Sequence, residues 1–477
     1  MGSLFRLKPI VAAHERPAEH RLQRTLSWPH LIALGVGAIV GTGILTLIGV
    51  GADRAGPAVI VSFVVAGAIC ACAALAYAEM ATMMPASGSA YTYSYAVLGE
   101  LIAWVVGWSL LAEYTLVVGA VAVGWSGYAT PFLTGLGVPP ELTHGPQMVG
   151  WEVVQWGVNV PALFVVWLVA GLLILGTRES ATLNAILVVV KLAALALFVA
   201  VALPYFDASN LDPFSPFGFA KHSVMGADGV AVERGVMAAA AIIFFAFYGF
   251  DAISTAAEET KNPGRDLAIG IVGSMVLCVA IYMIVAIAAV GALNYTGFAN
   301  SPEPLALILR EIGQPMVAKI LAVSAVIALP TVILGFLFGQ SRIFFTMARD
   351  RMLPQSLARV SAKGTPVRIT IFTAAVVSLF AAFFPIDQIA ALANAGTLTA
   401  FVAVAVCMLV LRRRAPDAER PFRTPLPWVV GLGAALGCVY LFINLPHHTQ
   451  LMFGAWNLIG LLVYFAYARR NLDKGQE

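Results

Sequence analysis

The sequence predicts an all-α polytopic membrane protein with twelve transmembrane helices, and three observations lead there. Sixty per cent of the 477 residues are hydrophobic and only 11% are charged, against roughly 25% charged in soluble domains. Apolar runs near the ~20 residues that span a bilayer as helix recur from Trp28 to Tyr467, and twelve can be counted. The alternating pattern of a membrane β-barrel is absent. Backbone in lipid must satisfy its own hydrogen bonds, which makes such runs helices.

The first 27 residues are polar and lack the apolar core of a signal peptide, so 1–27 reads as a cytoplasmic tail. The predicted spans then follow at 28–50, 57–81, 98–128, 154–175, 181–204 and 235–256. Six more are expected at 267–293, 316–348, 368–384, 386–411, 427–445 and 450–467. Residues 28–411 form the expected transport core, as two halves at about 28–204 and 235–411. Spans 11 and 12 at 427–467 lie outside it, and 468–477 is a second cytoplasmic tail.

Orientation follows from lysine and arginine, which favour the cytoplasmic side. With the N-terminus inside, 22 of the 28 basic residues fall in cytoplasmic segments, among them Arg178, and five in outer ones. The remaining one is Lys191, inside a span. Topology and anionic lipid headgroups explain the basic loops better than nucleic acid does. Five cysteines lie within spans, odd in number and without metal-ligand spacing, and read as packing residues. His447 and His448 are expected to be solvated.

Two spans look interrupted. Span 1 carries Gly35, Gly37, Gly41 and Gly43 within nine residues. Span 6 puts Gly249 and Asp251 after Phe244-Phe245-Ala246-Phe247-Tyr248. Interrupted helices at corresponding places of two halves point to a transporter site. A dinucleotide-binding turn would need a preceding strand and an acidic residue about 20 positions on. The Gly37-x-x-x-Gly41 spacing is also compatible with close helix packing. The paired break in span 6 favours an unwound binding segment.

An unwound helix exposes N–H groups that suit a carboxylate and free carbonyls that suit an ammonium. An α-amino acid carries both, and Thr42 adds a hydroxyl. Lys191 lies too deep to snorkel, and an intramembrane ionisable group is a functional candidate by default. Proton exchange during transport is one role; a permanently charged cap on exposed carbonyls is the other. Glu113 in span 3 is expected near the substrate amine or in a water network, with a purely structural hydrogen bond as the alternative. Asp251 is expected to orient span 6 or gate it, with a solvated cavity residue as the alternative. Glu79 closes span 2 near the cytoplasmic boundary, where its charge is expected to be solvated.

These motifs resemble the amino acid–polyamine–organocation (APC) superfamily. The resemblance rests on the Gly35–Ile44 run, on Tyr77-Ala-Glu79-Met with Pro85-Ala-Ser-Gly-Ser-Ala-Tyr91-Thr-Tyr93, and on Gly249-Phe-Asp251 continuing to Ala257-Glu-Glu259-Thr-Lys-Asn-Pro263-Gly-Arg265. A fourth stretch runs from Gly339-Gln-Ser-Arg342 to Asp350-Arg-Met-Leu-Pro354, and together they extend from residue 27 to about 425. The best match is the cationic amino acid transporter branch with its bacterial relatives. The resemblance implies a LeuT-type fold: two inverted five-helix repeats with helices 1 and 6 broken, plus two C-terminal helices. It implies alternating access by an L-amino acid whose carboxylate meets the backbone of Thr42 and Gly43. The amine would meet carbonyls near Ile39 and from Phe245 through Ala246 to Tyr248. Phe245 matches the aromatic gate, Lys191 the lysine that stands in place of sodium in proton-coupled members, and Glu113 an acidic position near the substrate. The chain departs from the pattern at Ala268, where proline is frequent, and at Phe336, a bulky residue where substrate side chains are expected to point.

The expected function is therefore proton-coupled symport of small neutral amino acids such as alanine across the cell membrane. The alternatives are transport of arginine or lysine, and exchange. Phe336 could instead face lipid or another helix. A channel is disfavoured by the paired breaks, and a membrane-embedded enzyme by the lack of a metal motif or of a nucleophile with a buried base. No cofactor and no metal are expected. The expected partners are the substrate, a proton and the bilayer; the sequence is silent on a small membrane accessory subunit.

Overall fold

The computed structural model describes residues 6–8, 24, 26–149, 152–175, 180–225, 231–299, 301–358 and 367–474. Most of the predicted N-terminal tail, Arg178 and residues 475–477 lie outside them. The first half comprises α1 (Trp28–Ile39), α2 (Thr42–Leu45), α3 (Leu47–Ala55), α4 (Val59–Met83), α5 (Ser89–Val97), α6 (Glu100–Gly135), α7 (Val160–Leu175) and α8 (Ser180–Ala202). The second comprises α9 (Val236–Ile243), α10 (Phe250–Thr255), α11 (Pro263–Ala292), α12 (Pro304–Glu311), α13 (Pro315–Ala328), α14 (Pro330–Arg349), α15 (Val367–Phe383) and α16 (Ile386–Arg414). Then come α17 (Pro427–Ile443), α18 (His447–Val463) and α19 (Arg469–Lys474).

Among the described residues, nine helical segments are long and apolar enough to cross a membrane. Three shorter apolar helices lie at Val160–Ile174, Val367–Phe383 and Pro427–Ile443, and each predicted span overlaps one of these twelve. The protein is an all-α polytopic membrane protein in its apolar body. The connections correct a strictly all-α expectation. Gln147–Val149 pairs antiparallel with Glu152–Gln155, and His222–Met225 with Ala231–Arg234. Such hairpins belong in loops, because an open sheet edge facing lipid would leave backbone groups unpaired. Lys221 and Glu233 meet at 3.2 Å across the second hairpin. Span 4 accordingly starts at Val160, later than expected, where Asn159 Oδ1 accepts the Ala162 N–H (3.0 Å).

Proline opens several helices at the first or second position, among them α11, α12, α13, α14 and α17. It suits the helix start because the first N–H groups have no intrahelical partner. The same residue type divides the predicted eighth span. Leu329 alone separates α13 from α14, and Pro330 has no N–H to carry the ladder across.

The burial pattern sorts the helices by depth. Every residue from Val236 to Thr255 is buried, so the sixth segment is surrounded by protein. Helix α1 packs against α8, α10, α11 and α14, and α9 against α3, α4 and α16. At the rim, α18 docks on α6 through Trp108 and Trp456. Their stacked rings lie 4.7 Å apart, and each indole donates to the other's carbonyl at 2.9 and 3.0 Å. All five cysteines are free, and four are fully buried.

Candidate functional site

The first span breaks between α1 and α2. The last bond of α1 runs from Val40 N–H to the Val36 carbonyl (2.9 Å), and the first of α2 from Leu45 N–H to the Gly41 carbonyl (3.1 Å). The N–H groups of Thr42, Gly43 and Ile44 therefore precede the first intrahelical bond of α2. The Thr42 hydroxyl is buried and has no hydrogen-bond partner. A second irregularity follows at Thr46, which separates α2 from α3.

Lys191 on α8 caps the α1 end of this break. Its ammonium donates to the carbonyls of Gly37 and Val40, both at 2.8 Å. Tyr282 on α11 donates to the Ile39 carbonyl at 2.7 Å. Three of the carbonyls at the end of α1 thus already have donors. That corrects the simple picture of Ile39 as a free acceptor, since one of its two lone pairs is taken.

The sixth span breaks in two steps. After α9 the chain tightens into a 3₁₀ turn at Phe244–Ala246, and Gly249 then takes φ +122°, a region that favours glycine. Gly249 N–H does not close a turn onto Phe245; it donates to Asp251 Oδ1 at 3.0 Å. Asp251 Oδ2 accepts the Tyr114 hydroxyl at 2.6 Å. Both oxygens of Asp251 are engaged and the residue is 1% exposed, so it is not a solvated cavity residue; its bonds tie the start of α10 to α6.

Close approach explains the glycines. A Cβ on Gly43 would stand 2.3 Å from Ala246 Cα, and one on Gly249 would stand 3.0 Å from Ala38. The two breaks thus lie against each other, and side chains there would separate them. Gly124 on α6 gives room to Thr42 in the same way, at 2.2 Å.

Around the crossing, the predicted residues gather. Phe245 and Tyr248 pack edge to face with centroids 5.1 Å apart. Phe336 sits against Tyr114 at 5.3 Å and Tyr248 at 6.1 Å and is 1% exposed, so it faces neighbouring helices and not lipid. Glu113 is fully buried, and neither of its oxygens carries a hydrogen bond. Thr397 stands beside it, but the Thr397 hydroxyl donates to the Ala393 carbonyl (3.3 Å). The Tyr248 hydroxyl also lacks a partner. The centre therefore holds buried N–H groups that precede the first bond of α2, three orphan polar side chains and an aromatic wall.

Several participants are not singled out by sequence. Asn394 on α16 donates to the carbonyls of Ala241 (2.8 Å) and Ile242 (3.2 Å) at the end of α9. Tyr282 and Asn394 are polar groups in apolar runs, which is the one signal that could have marked them. Glu79 is a plain correction: it is 1% exposed, not solvated. Arg412 grips it through two bonds of 2.8 and 2.6 Å, Arg420 adds one at 3.3 Å and Thr424 N–H one at 2.8 Å. At the same end of the helices, Glu259 pairs with Arg342 (3.1 Å) and Glu258 with Arg349 (3.8 Å). Lys8 pairs there with Asp350, which also accepts from Tyr91. His447 and His448 are exposed, as expected. Among the described residues no cluster of metal-binding side chains is found.

Comparison with known proteins gives this geometry a context. Residues 26–466 match the amino acid permease family. The chain is 44% identical over its full length, and that of the relative, to a branched-chain amino acid permease of Bacillus subtilis (strain 168). It is 38% identical, with 99% of both chains covered, to a methylthioribose transporter of the same organism. A vacuolar cationic amino acid transporter of Arabidopsis thaliana is 36% identical across 89% of this chain and 65% of its own length. A family match across nearly the whole chain, with full-length similarity to transporters, leads to one conclusion: the chain belongs to the amino acid permease family of the APC superfamily, and it resembles the cationic amino acid transporter branch.

Proposed function

We propose that this permease is a proton-coupled symporter of small neutral L-amino acids, working by alternating access across the cell membrane. The observation that carries the reading is Lys191, whose ammonium bridges the Gly37 and Val40 carbonyls at the break. A buried cation held by neutral dipoles, with no carboxylate on it among the described residues, is a group whose proton can be lost and regained. Losing it would release the two carbonyls and loosen the end of α1, which couples protonation to the substrate site.

The substrate carboxylate is assigned to the N–H groups of Thr42 and Gly43 and to the Thr42 hydroxyl. The amine is assigned to the second lone pair of the Ile39 carbonyl and to the carbonyls from Phe245 through Ala246 to Tyr248. Phe245 closes the site, Asp251 steadies the inner half of the sixth span, and Phe336 limits the side chain. Nine long and three shorter apolar helices are compatible with twelve crossings; an even number would return both termini to one side, which the distribution of lysine and arginine makes the cytoplasmic one. Two inverted repeats of five helices would pair the first break with the sixth. The ion pairs of Glu258, Glu259 and Asp350 would then form the cytoplasmic gate.

A second reading is transport of cationic amino acids. Glu113, a buried carboxyl without a partner, would suit a basic side chain, and several relatives carry that name. The test is uptake into proteoliposomes of alanine, leucine, arginine, lysine and methylthioribose, with and without an inward proton gradient and without sodium. The proposal expects alanine to accumulate only with the gradient. Arginine uptake equal to alanine uptake would favour the second reading, and uptake indifferent to the gradient would remove proton coupling.

A further inference from the structure

We propose that Asn394 is a positioning residue for the substrate-amine site, the permanently neutral counterpart of Lys191. The inference rests on the proposed amino-acid site and extends it to a residue with no assigned role. Lys191 lies on α8, the last helix of the first half, and donates to two carbonyls where α1 stops. Asn394 lies on α16, the last helix of the second half, and donates to two carbonyls where α9 stops, Ala241 at 2.8 Å and Ile242 at 3.2 Å. Each broken helix is thus held at its first half by a donor from the fifth span of its own half.

The chemistry of the pair of carbonyls fixes which end of the amide faces them. Only the NH₂ group can face two acceptors; the opposite orientation would set an oxygen against two oxygens. The residue is 0% exposed, and its remaining oxygen is buried without a partner. In a continuous α-helix the carbonyls of Ala241 and Ile242 would receive the N–H groups of Phe245 and Ala246. By giving those carbonyls a side-chain donor in place of the helical N–H groups, Asn394 lets the chain leave the α-helix for the tighter 3₁₀ turn at Phe244–Ala246. That turn sets the direction of the Phe245 ring and of the carbonyls assigned to the substrate amine. An asparagine cannot change its charge, so the second break is held in every protonation state. The first, held by Lys191, can be released.

The experiment compares the intact protein with Asn394→Leu and Asn394→Ser in proteoliposomes. It measures KM and maximal rate per folded protein for the preferred amino acid, and inhibition by its deamino analogue (alanine with propionate, or leucine with 4-methylpentanoate). Asn394→Leu is expected to raise KM about tenfold or more, to change the maximal rate less than threefold, and to leave inhibition by the deamino analogue within twofold. Asn394→Ser, which retains one hydroxyl donor, is expected to fall between the two and serves if the leucine variant does not fold. A KM within twofold of the parent in both variants, or an equal shift for substrate and deamino analogue, overturns the proposal alone. A parent that takes up no amino acid overturns the site reading and this inference together.

Discussion

Tyr114 on α6 and Asp251 on α10 share a hydrogen bond of 2.6 Å, both fully inside the protein. It joins the third span to α10, the part of the sixth that follows the break at Gly249. Removing the hydroxyl by Tyr114→Phe leaves a buried carboxylate oxygen without its donor, at a cost of roughly 1–3 kcal/mol. We expect a lower thermal midpoint in detergent and a severalfold drop in uptake. An unchanged midpoint with full uptake would show that the bond does not hold α10.

Gly43 is the contact point of the two broken helices. Because a Cβ there meets backbone at 2.3 Å, Gly43→Ala forces the segments apart and does not merely press on a flexible side chain. Uptake is expected to fall by more than tenfold in protein that still elutes as a monodisperse species. Trimming the neighbour with Ala246→Gly should not restore it, since the clash is with the Cα. Recovery in the double variant would place the conflict in the side chain instead.

Phe336 makes edge contacts with Tyr114 and Tyr248 and is the side-chain wall of the proposed site. In Phe336→Ser, arginine and lysine should become competitive inhibitors of alanine uptake. The lost packing, of order 3 kcal/mol, should lower the melting midpoint as well. Failure of long side chains to compete in a folded variant would move the specificity wall elsewhere.

Glu79 compensates Arg412 and Arg420 together. Breaking a buried pair by removing one partner costs about 3–5 kcal/mol, so Glu79→Gln should be poorly stable in detergent. Arg412→Gln alone should be milder, because Arg420 and Thr424 still satisfy the carboxylate. Equal midpoints for Glu79→Gln and the parent would contradict this ordering.

What could be read from sequence was what local chemistry controls. The glycines from Gly35 to Gly43 and Gly249 with Asp251 marked both breaks, because only a small residue tolerates such close approach and such a backbone. The apolar runs marked the helices, because lipid leaves the backbone no other partner. Glu79 was misread because its arginines lie more than 330 positions away, and no local pattern announces such a pairing. Separations of 243 and 153 positions likewise hid Tyr282 and Asn394, whose carbonyl partners belong to other spans. The division at Pro330 was written locally, but the apolar run continues through it and conceals the interruption.

Lys191 is the centre of the proposed mechanism, and one measurement tests it most directly: alanine uptake by Lys191→Ala in proteoliposomes, driven by an imposed proton gradient and compared with counterflow. The variant is expected to lose gradient-driven accumulation by at least tenfold while the folded protein retains some exchange. Full proton-driven accumulation in Lys191→Ala would contradict the assignment of the coupling proton to this lysine.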